Sequence, residues 1–135
     1  MNQITYPPIT TALLCLASAC LLCGCGSTTG PETYELSGQA SFNGQPIPFG
    51  SILLEPDTEL GNSGPGSVAE ISDGSYNTRA GKGHVGGPHI ATIIATDGTQ
   101  PENPDVDNSL FPPCQIKIDL PKEDSKHDFD VPKQQ

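Results

Sequence analysis

From residue 34 onward, apolar and polar positions alternate with a period of two. Tyr34, Leu36, Ala40 and Phe42 fall on one face of an extended segment, and Glu35, Ser37, Gln39 and Ser41 fall on the other. Cys114, Ile116, Ile118 and Leu120 repeat the pattern around Gln115, Lys117 and Asp119, as do Phe129 and Val131 around Asp128 and Asp130. Such alternation is the signature of half-buried antiparallel strands. Residues 49–54 and 89–96 are more continuously apolar and read as central strands. Residues 67–71 and 75–78 complete a set of seven expected strands.

The punctuation agrees with strands. Asn43-Gly44 and Asp73-Gly74 are hairpin dipeptides, because the tight turns that join antiparallel strands need positive φ. Asp97-Gly98 marks the exit of the strand that begins at His89. Residues 61–66 and 99–108 are rich in Gly, Pro, Asn and Asp and read as loops, and mobility is expected in 57–66 and 97–110. No segment beyond residue 24 carries the apolar i, i+3, i+4 spacing of a helix. The expected fold is all-β, a seven-stranded antiparallel sandwich of prealbumin or immunoglobulin type. Its core is thin, since Leu, Ile, Val and Phe make up only about a fifth of residues 25–135.

The N-terminus follows a different rule. Ile9 to Leu22 is an uncharged apolar run. At about 14 residues it is short for a bilayer core of about 30 Å but has the length of a signal-peptide apolar region. It ends at Leu22-Cys23-Gly24-Cys25. That junction resembles the lipobox of bacterial lipoproteins, with Leu22 three before the cysteine and small Gly24 directly before it. The resemblance implies cleavage before Cys25 and fatty acylation of its thiol. The basic stretch that opens such leaders is missing, because no Lys or Arg precedes Arg79. Cys20, after Ala17-Ser18-Ala19, is a poorer alternative, and plain secretory cleavage is another. The expected organisation is a lipoprotein signal peptide over 1–24, a flexible tether over 25–33 and a β-sandwich over 34–132. The leader cysteines Cys15, Cys20 and Cys23 match the spacing of a plant-type iron–sulfur site, but they sit in a continuous apolar run and read as small hydrophobes. Cys114 is then unpaired, so no disulfide framework is expected, and its alternation with Ile116 and Ile118 reads as packing.

Charge narrows the function. The 135 residues carry 6 Lys and Arg against 16 Asp and Glu, a net charge of −10, which excludes nucleic acid binding through phosphates. With 15 Gly and 14 Pro, about a fifth of the chain, long helices are excluded as well.

The stretch Tyr34 to Pro48, then Gly50 to Pro56, then Ser72 to Tyr76, resembles the carboxypeptidase regulatory-like, transthyretin-like (prealbumin-type) β-sandwich domains. More narrowly, it is similar to small lipoproteins of planctomycete type, in which a lipobox precedes one such domain. The Gly/Pro turn at residues 81–89 fits the family, while Cys114 departs from it where an aromatic is expected. The resemblance implies a non-catalytic, extracytoplasmic module. The hydrolase branch of transthyretin-like proteins is not matched, because the chain has one Arg and ends Val131-Pro132-Lys133-Gln134-Gln135.

Four candidate sites carry chemistry. Cys25 is the lipidation site. Gly81, Gly83 and Gly86 match a dinucleotide-binding fingerprint, but Pro88 and β-branched residues follow where a helix must open, so no nucleotide is expected. His84 and His89, on a Gly-rich turn, have no fixed metal geometry. The acidic loop 102–109 (Glu102, Asp105, Asp107) supplies oxygen ligands but fails the EF-hand pattern, with Leu110 at the glycine position and Ile116 at the terminal Glu position. The expectation is a lipid-anchored, non-catalytic module at the cell membrane or outer membrane, facing the periplasm or exterior. It needs no cofactor, and its partners are membrane lipid and an envelope protein. The alternative is a Ca²⁺- or Zn²⁺-dependent binding module or enzyme using His84 and His89 or the 102–109 loop.

Overall fold

A computed structural model describes residues 30–99, 103 and 105–133. Among these residues nine strands follow one another: β1 Leu36–Phe42, β2 Gln45–Pro46, β3 Phe49–Pro56, β4 Ser67–Ser72, β5 Ser75–Thr78, β6 Gly87–Thr96, β7 Cys114–Leu120, β8 Ser125–Lys126 and β9 Phe129–Val131. Among the described residues the one helical piece is a 3-10 turn, Thr58–Leu60. The chain is therefore all-β, and each of the seven expected strands is present. β2 and β8, two residues each, are additions too short to leave a period.

Seven strands hydrogen-bond in the order β2-β1-β5-β4-β3-β6-β7, every pair antiparallel. The sheet curls into a half-barrel around one core. The hairpins form where the sequence places them. Asn43 and Gly44 (φ 51° and 73°) join β1 to β2, and Asp73 and Gly74 (φ 50° and 78°) join β4 to β5. Positive φ at both loop residues gives the turn whose twist matches the strands it connects.

β1 is bonded along both edges. One edge meets β5 over Ser37–Gln39 and β2 over Ser41–Phe42. The other edge meets β8 and β9, which run parallel to it. The gap between β8 and β9 is closed by a side chain, since Gln39 N–H donates to Asp128 Oδ1 at 2.8 Å. Asp124 Oδ1 accepts Glu35 N–H at 2.7 Å in the same manner.

The core lies on the concave face. β1 contributes Leu36 and Ala40, β3 Ile52 and Leu54, β4 Ala69 and Ile71, β6 Ala91, Ile93 and Ala95, and β9 Phe129 and Val131. Phe42 and Phe111 close it at a ring separation of 4.8 Å. β3 and β6 are interior strands, each paired on both sides, although β4 is the middle strand of the seven. Their continuous apolar runs have a different consequence, however: outward-facing Phe49 and Ile94 remain exposed among the described residues.

The parallel arm approaches β1 closely at Gly38. A Cβ there would lie 1.9 Å from the His127 carbonyl oxygen, which no side chain tolerates. Tyr76, directly opposite Gly38 in register, covers the bare backbone and donates its hydroxyl to the same carbonyl. Its ring sits 5.6 Å from that of Phe129. Burial raises the Tyr76 pKa, with Asp128 adding to the shift, so the hydroxyl stays a donor. Replacement of Gly38 by Ala must displace backbone and is expected to cost about 3 kcal/mol. Tyr76→Phe removes one hydrogen bond and is expected to cost about 1 kcal/mol. Urea unfolding of both variants measures the difference. Equal losses would show that the close approach does not govern the parallel arm.

Candidate functional site

Four segments meet where β1 begins. Tyr34 and His84 exchange backbone hydrogen bonds, with Tyr34 N–H donating at 2.8 Å and His84 N–H at 2.9 Å. Gly83 must lack a side chain there, since a Cβ would meet the Tyr34 carbonyl at 1.7 Å. Ser125 N–H donates to Glu35 C=O at 2.9 Å, which brings in the arm that carries β8. Asn62 reaches across from the loop after β3. Together they rim a shallow concavity of about 310 Å³ that includes Tyr34, Asn62, Val85 and Lys122.

Behind the rim lie two fully buried histidines, His84 and His89. The hydrogen-bond network fixes their tautomers. Asn62 Nδ2 donates to Gly86 C=O at 3.0 Å and to Pro88 C=O at 2.7 Å. Both amide hydrogens are thereby used, so the 3.5 Å approach of this nitrogen to His89 Nδ1 is not a donation. His89 Nδ1 lies 2.8 Å from Gly87 C=O and carries the proton it donates there. His89 Nε2 is then a bare lone pair, buried without a partner. His84 is the opposite tautomer. Its Nδ1 accepts Gly86 N–H at 3.1 Å, so its proton sits on Nε2, 3.5 Å from Ser125 Oγ. The rings meet edge-on with centroids 5.8 Å apart.

This arrangement suits two neutral imidazoles. Burial lowers the His84 pKa, His89 lowers it further, and Asp124 opposes both. As a metal seat the pair is poor. A metal on Nε2 of His84 would require its proton to move to Nδ1, against the Gly86 N–H. His127 is elsewhere, packed edge-on against Phe129 at 4.7 Å. Among the described residues no group of three or more His, Cys, Asp and Glu is gathered as a metal site.

The other candidates fare differently. Cys25 lies outside the described residues, and so does Glu102. Asp107 Oδ1 accepts Ser109 N–H at 2.9 Å, and Asn103 Oδ1 accepts Asp105 N–H at 3.1 Å. Asp97, missed as part of this loop's frame, accepts from Thr99 N–H at 2.8 Å and from its hydroxyl at 2.6 Å. These bonds lower the pKa of both carboxyl groups, Asp97 through Thr99 and Asp107 through Ser109. The glycine-rich run 81–86 opens no helix and leads straight into β6. Cys114 is a free thiol, half-buried and packed against the core.

Sequence reasoning missed Asp57 and Asn62. The 57–66 segment, expected as a mobile loop, is pinned by both. Asp57 is buried, caps the 3-10 turn through Glu59 N–H at 3.1 Å and lies 3.1 Å from Lys117 Nζ. Lys117 holds the Asp57 carboxyl below its usual range, and Asp57 raises the Lys117 pKa. The only local signal is an Asp ahead of Thr58, a cap residue type. Its partner is far along the chain and leaves no pattern. Comparison with family models, with curated proteins and with solved structures finds no match.

The buried histidine gives a pH signature. Native His84 resists the proton that the unfolded chain accepts near pH 6.5. Its contribution is therefore fully present above about pH 6.5 and is lost as pH falls toward the lowered native value. Thermal melts of the wild type are expected to decline through that window, and His84→Gln to decline less steeply. Superimposable profiles would show that the imidazole does not carry the effect.

Proposed function

We propose that the chain is a lipid-anchored, extracytoplasmic β-sandwich module with a structural or binding role at the cell envelope. The observation that carries this reading is the Leu22-Cys23-Gly24-Cys25 junction, an apolar leader ending on a lipobox-like cysteine. Within nine residues of that cysteine the chain reaches Tyr34, whose backbone already pairs with His84. Support also comes from the resemblance of residues 34–131 to carboxypeptidase regulatory-like domains.

The mechanism is presentation. Acyl chains on Cys25 hold the protein, with each buried CH₂ contributing roughly 0.8 kcal/mol, so that two or three chains anchor firmly where one is marginal. A net charge of −10 is repelled by anionic headgroups, so attachment rests on lipid rather than on charge. The folded body then displays its loops at a distance set by residues 26–33.

Metabolic labelling with a fatty-acid probe tests this reading. The wild type is expected to label and to sediment with membranes, and Cys25→Ser to do neither. A Cys25→Ser chain that still labels and stays in the membrane fraction would falsify the assignment.

A further inference from the structure

β7 forms one lateral boundary of the curled sheet, and among the described residues its only strand partner is β6. The backbone direction at its free side follows from Pro88. The Pro88 carbonyl accepts from Asp57 N–H at 2.9 Å, on the β3 side, and proline has no N–H. Its opposite number, Asp119, therefore sits at a position not bonded to β6. By alternation Gln115, Lys117 and Asp119 point N–H and C=O outward, while Cys114, Ile116, Ile118 and Leu120 bond to β6. Pro113 and Pro121 fall in the same outward phase and supply no N–H. The free edge is thus a short template of three donors bracketed by prolines. Its inward side chains Cys114, Ile116 and Ile118 are only half-buried, so the core is incompletely covered there.

We propose that this edge pairs with β7 of a second copy of the chain, antiparallel, about a two-fold axis through Ile118. The register is selected by charge. With the axis at Ile118, Lys117 of each copy lies opposite Asp119 of the other, and the pairing is made twice by symmetry. Ile118 meets Ile118, and Ile116 meets Leu120, on the inward face. Moving the axis to Lys117 sets two lysines opposite each other, and moving it to Asp119 sets two aspartates opposite each other. An axis at Ile116 leaves Asp119 facing Pro113. Only one register joins outward backbone groups and satisfies both charges. Among the described residues Asp119 has no salt-bridge partner within one copy, whereas Lys117 Nζ lies 3.1 Å from Asp57 and 3.5 Å from Glu59 on its own outer face, one positive charge shared between two negative ones. The prolines keep the contact short and closed, which blocks open-ended strand addition.

Sedimentation of the purified full-length chain in mild detergent tests this, with Lys117→Asp and Asp119→Lys as variants. The wild type is expected to associate as a dimer. Each single variant is expected to weaken association by roughly tenfold, because like charges then face each other twice. An equimolar mixture of the two variants is expected to recover it. One variant then presents two negative charges at positions 117 and 119, the other presents two positive charges there, and opposite signs face each other at both contacts. Amide exchange reports the phase: dimerisation slows Gln115, Lys117 and Asp119, while protection at Ile116 and Ile118 confirms that each variant is folded. A wild type that stays monomeric at its highest soluble concentration overturns the proposal, whatever other protein it binds. So does a mixture that associates no better than the single variants.

Discussion

The fold depends on one strand being satisfied on both sides. β1 is flanked by β2 and β5 along one edge and by β8 and β9 along the other, and the second set arrives from the far end of the chain. That closure is possible only because position 38 carries no side chain and Tyr76 supplies the missing surface. Without the parallel arm, Phe129 and Val131 leave the core, and the concave face loses its floor. The parallel pairs link residues about ninety positions apart, so they carry a large loop-closure cost in folding and form late on topological grounds. If Cys25 anchors the chain, any pull from the membrane enters at the start of this strand. The load then falls along β1 in shear against hydrogen bonds on both edges, the direction in which a ladder shares force among its bonds.

The same end of the molecule holds its most polar interior. Two neutral histidines of opposite tautomer, an asparagine that gives both amide hydrogens to backbone and a serine hydroxyl fill space that apolar side chains do not. The imidazoles and the asparagine make sense as backbone partners, and the serine hydroxyl faces His84. The turn around Gly86 leaves its carbonyl and amide without strand partners, and burying those unpaired would cost more than burying a hydrogen-bonded imidazole. The pair therefore reads first as solvation of an irregular connection. Asp57 and Lys117 serve the neighbouring loop in a similar way, with a buried carboxylate fixing backbone and an exposed ammonium setting its charge.

The alternation of apolar residues made the strands legible, and the Asn-Gly and Asp-Gly dipeptides made their hairpins legible, because both signals are local. What stayed hidden was non-local. Nothing near Gly38 announces that a carbonyl from residue 127 will sit against it. The parallel arm is broken into two short pieces, and the aspartates that bridge it look like surface charge in the sequence. His84 and His89 stood out as residues, yet their roles follow from which backbone groups surround them. The contacts of the 57–66 loop were hidden for the same reason, since Asp57 finds Lys117 across the fold. Continuous apolar runs marked β3 and β6 as central strands, and both are interior to the sheet, but their outward-facing Phe49 and Ile94 are exposed.

The acidic surface bears differently on a membrane and on a second copy. Long-range repulsion from a net charge of −10 acts over many ångströms, but at physiological salt the screening length is about 8 Å. Beyond that distance one acidic body scarcely senses another. Within it, only the charges at the contact matter. β7 is a place where the contact charges are mixed, Lys117 beside Asp119, on a chain with only 6 basic residues. A local pair can therefore prevail where the global sum opposes it, while a membrane, broad and uniformly anionic, offers no such local exception. A strongly acidic body is thus compatible with a short, register-specific contact between copies.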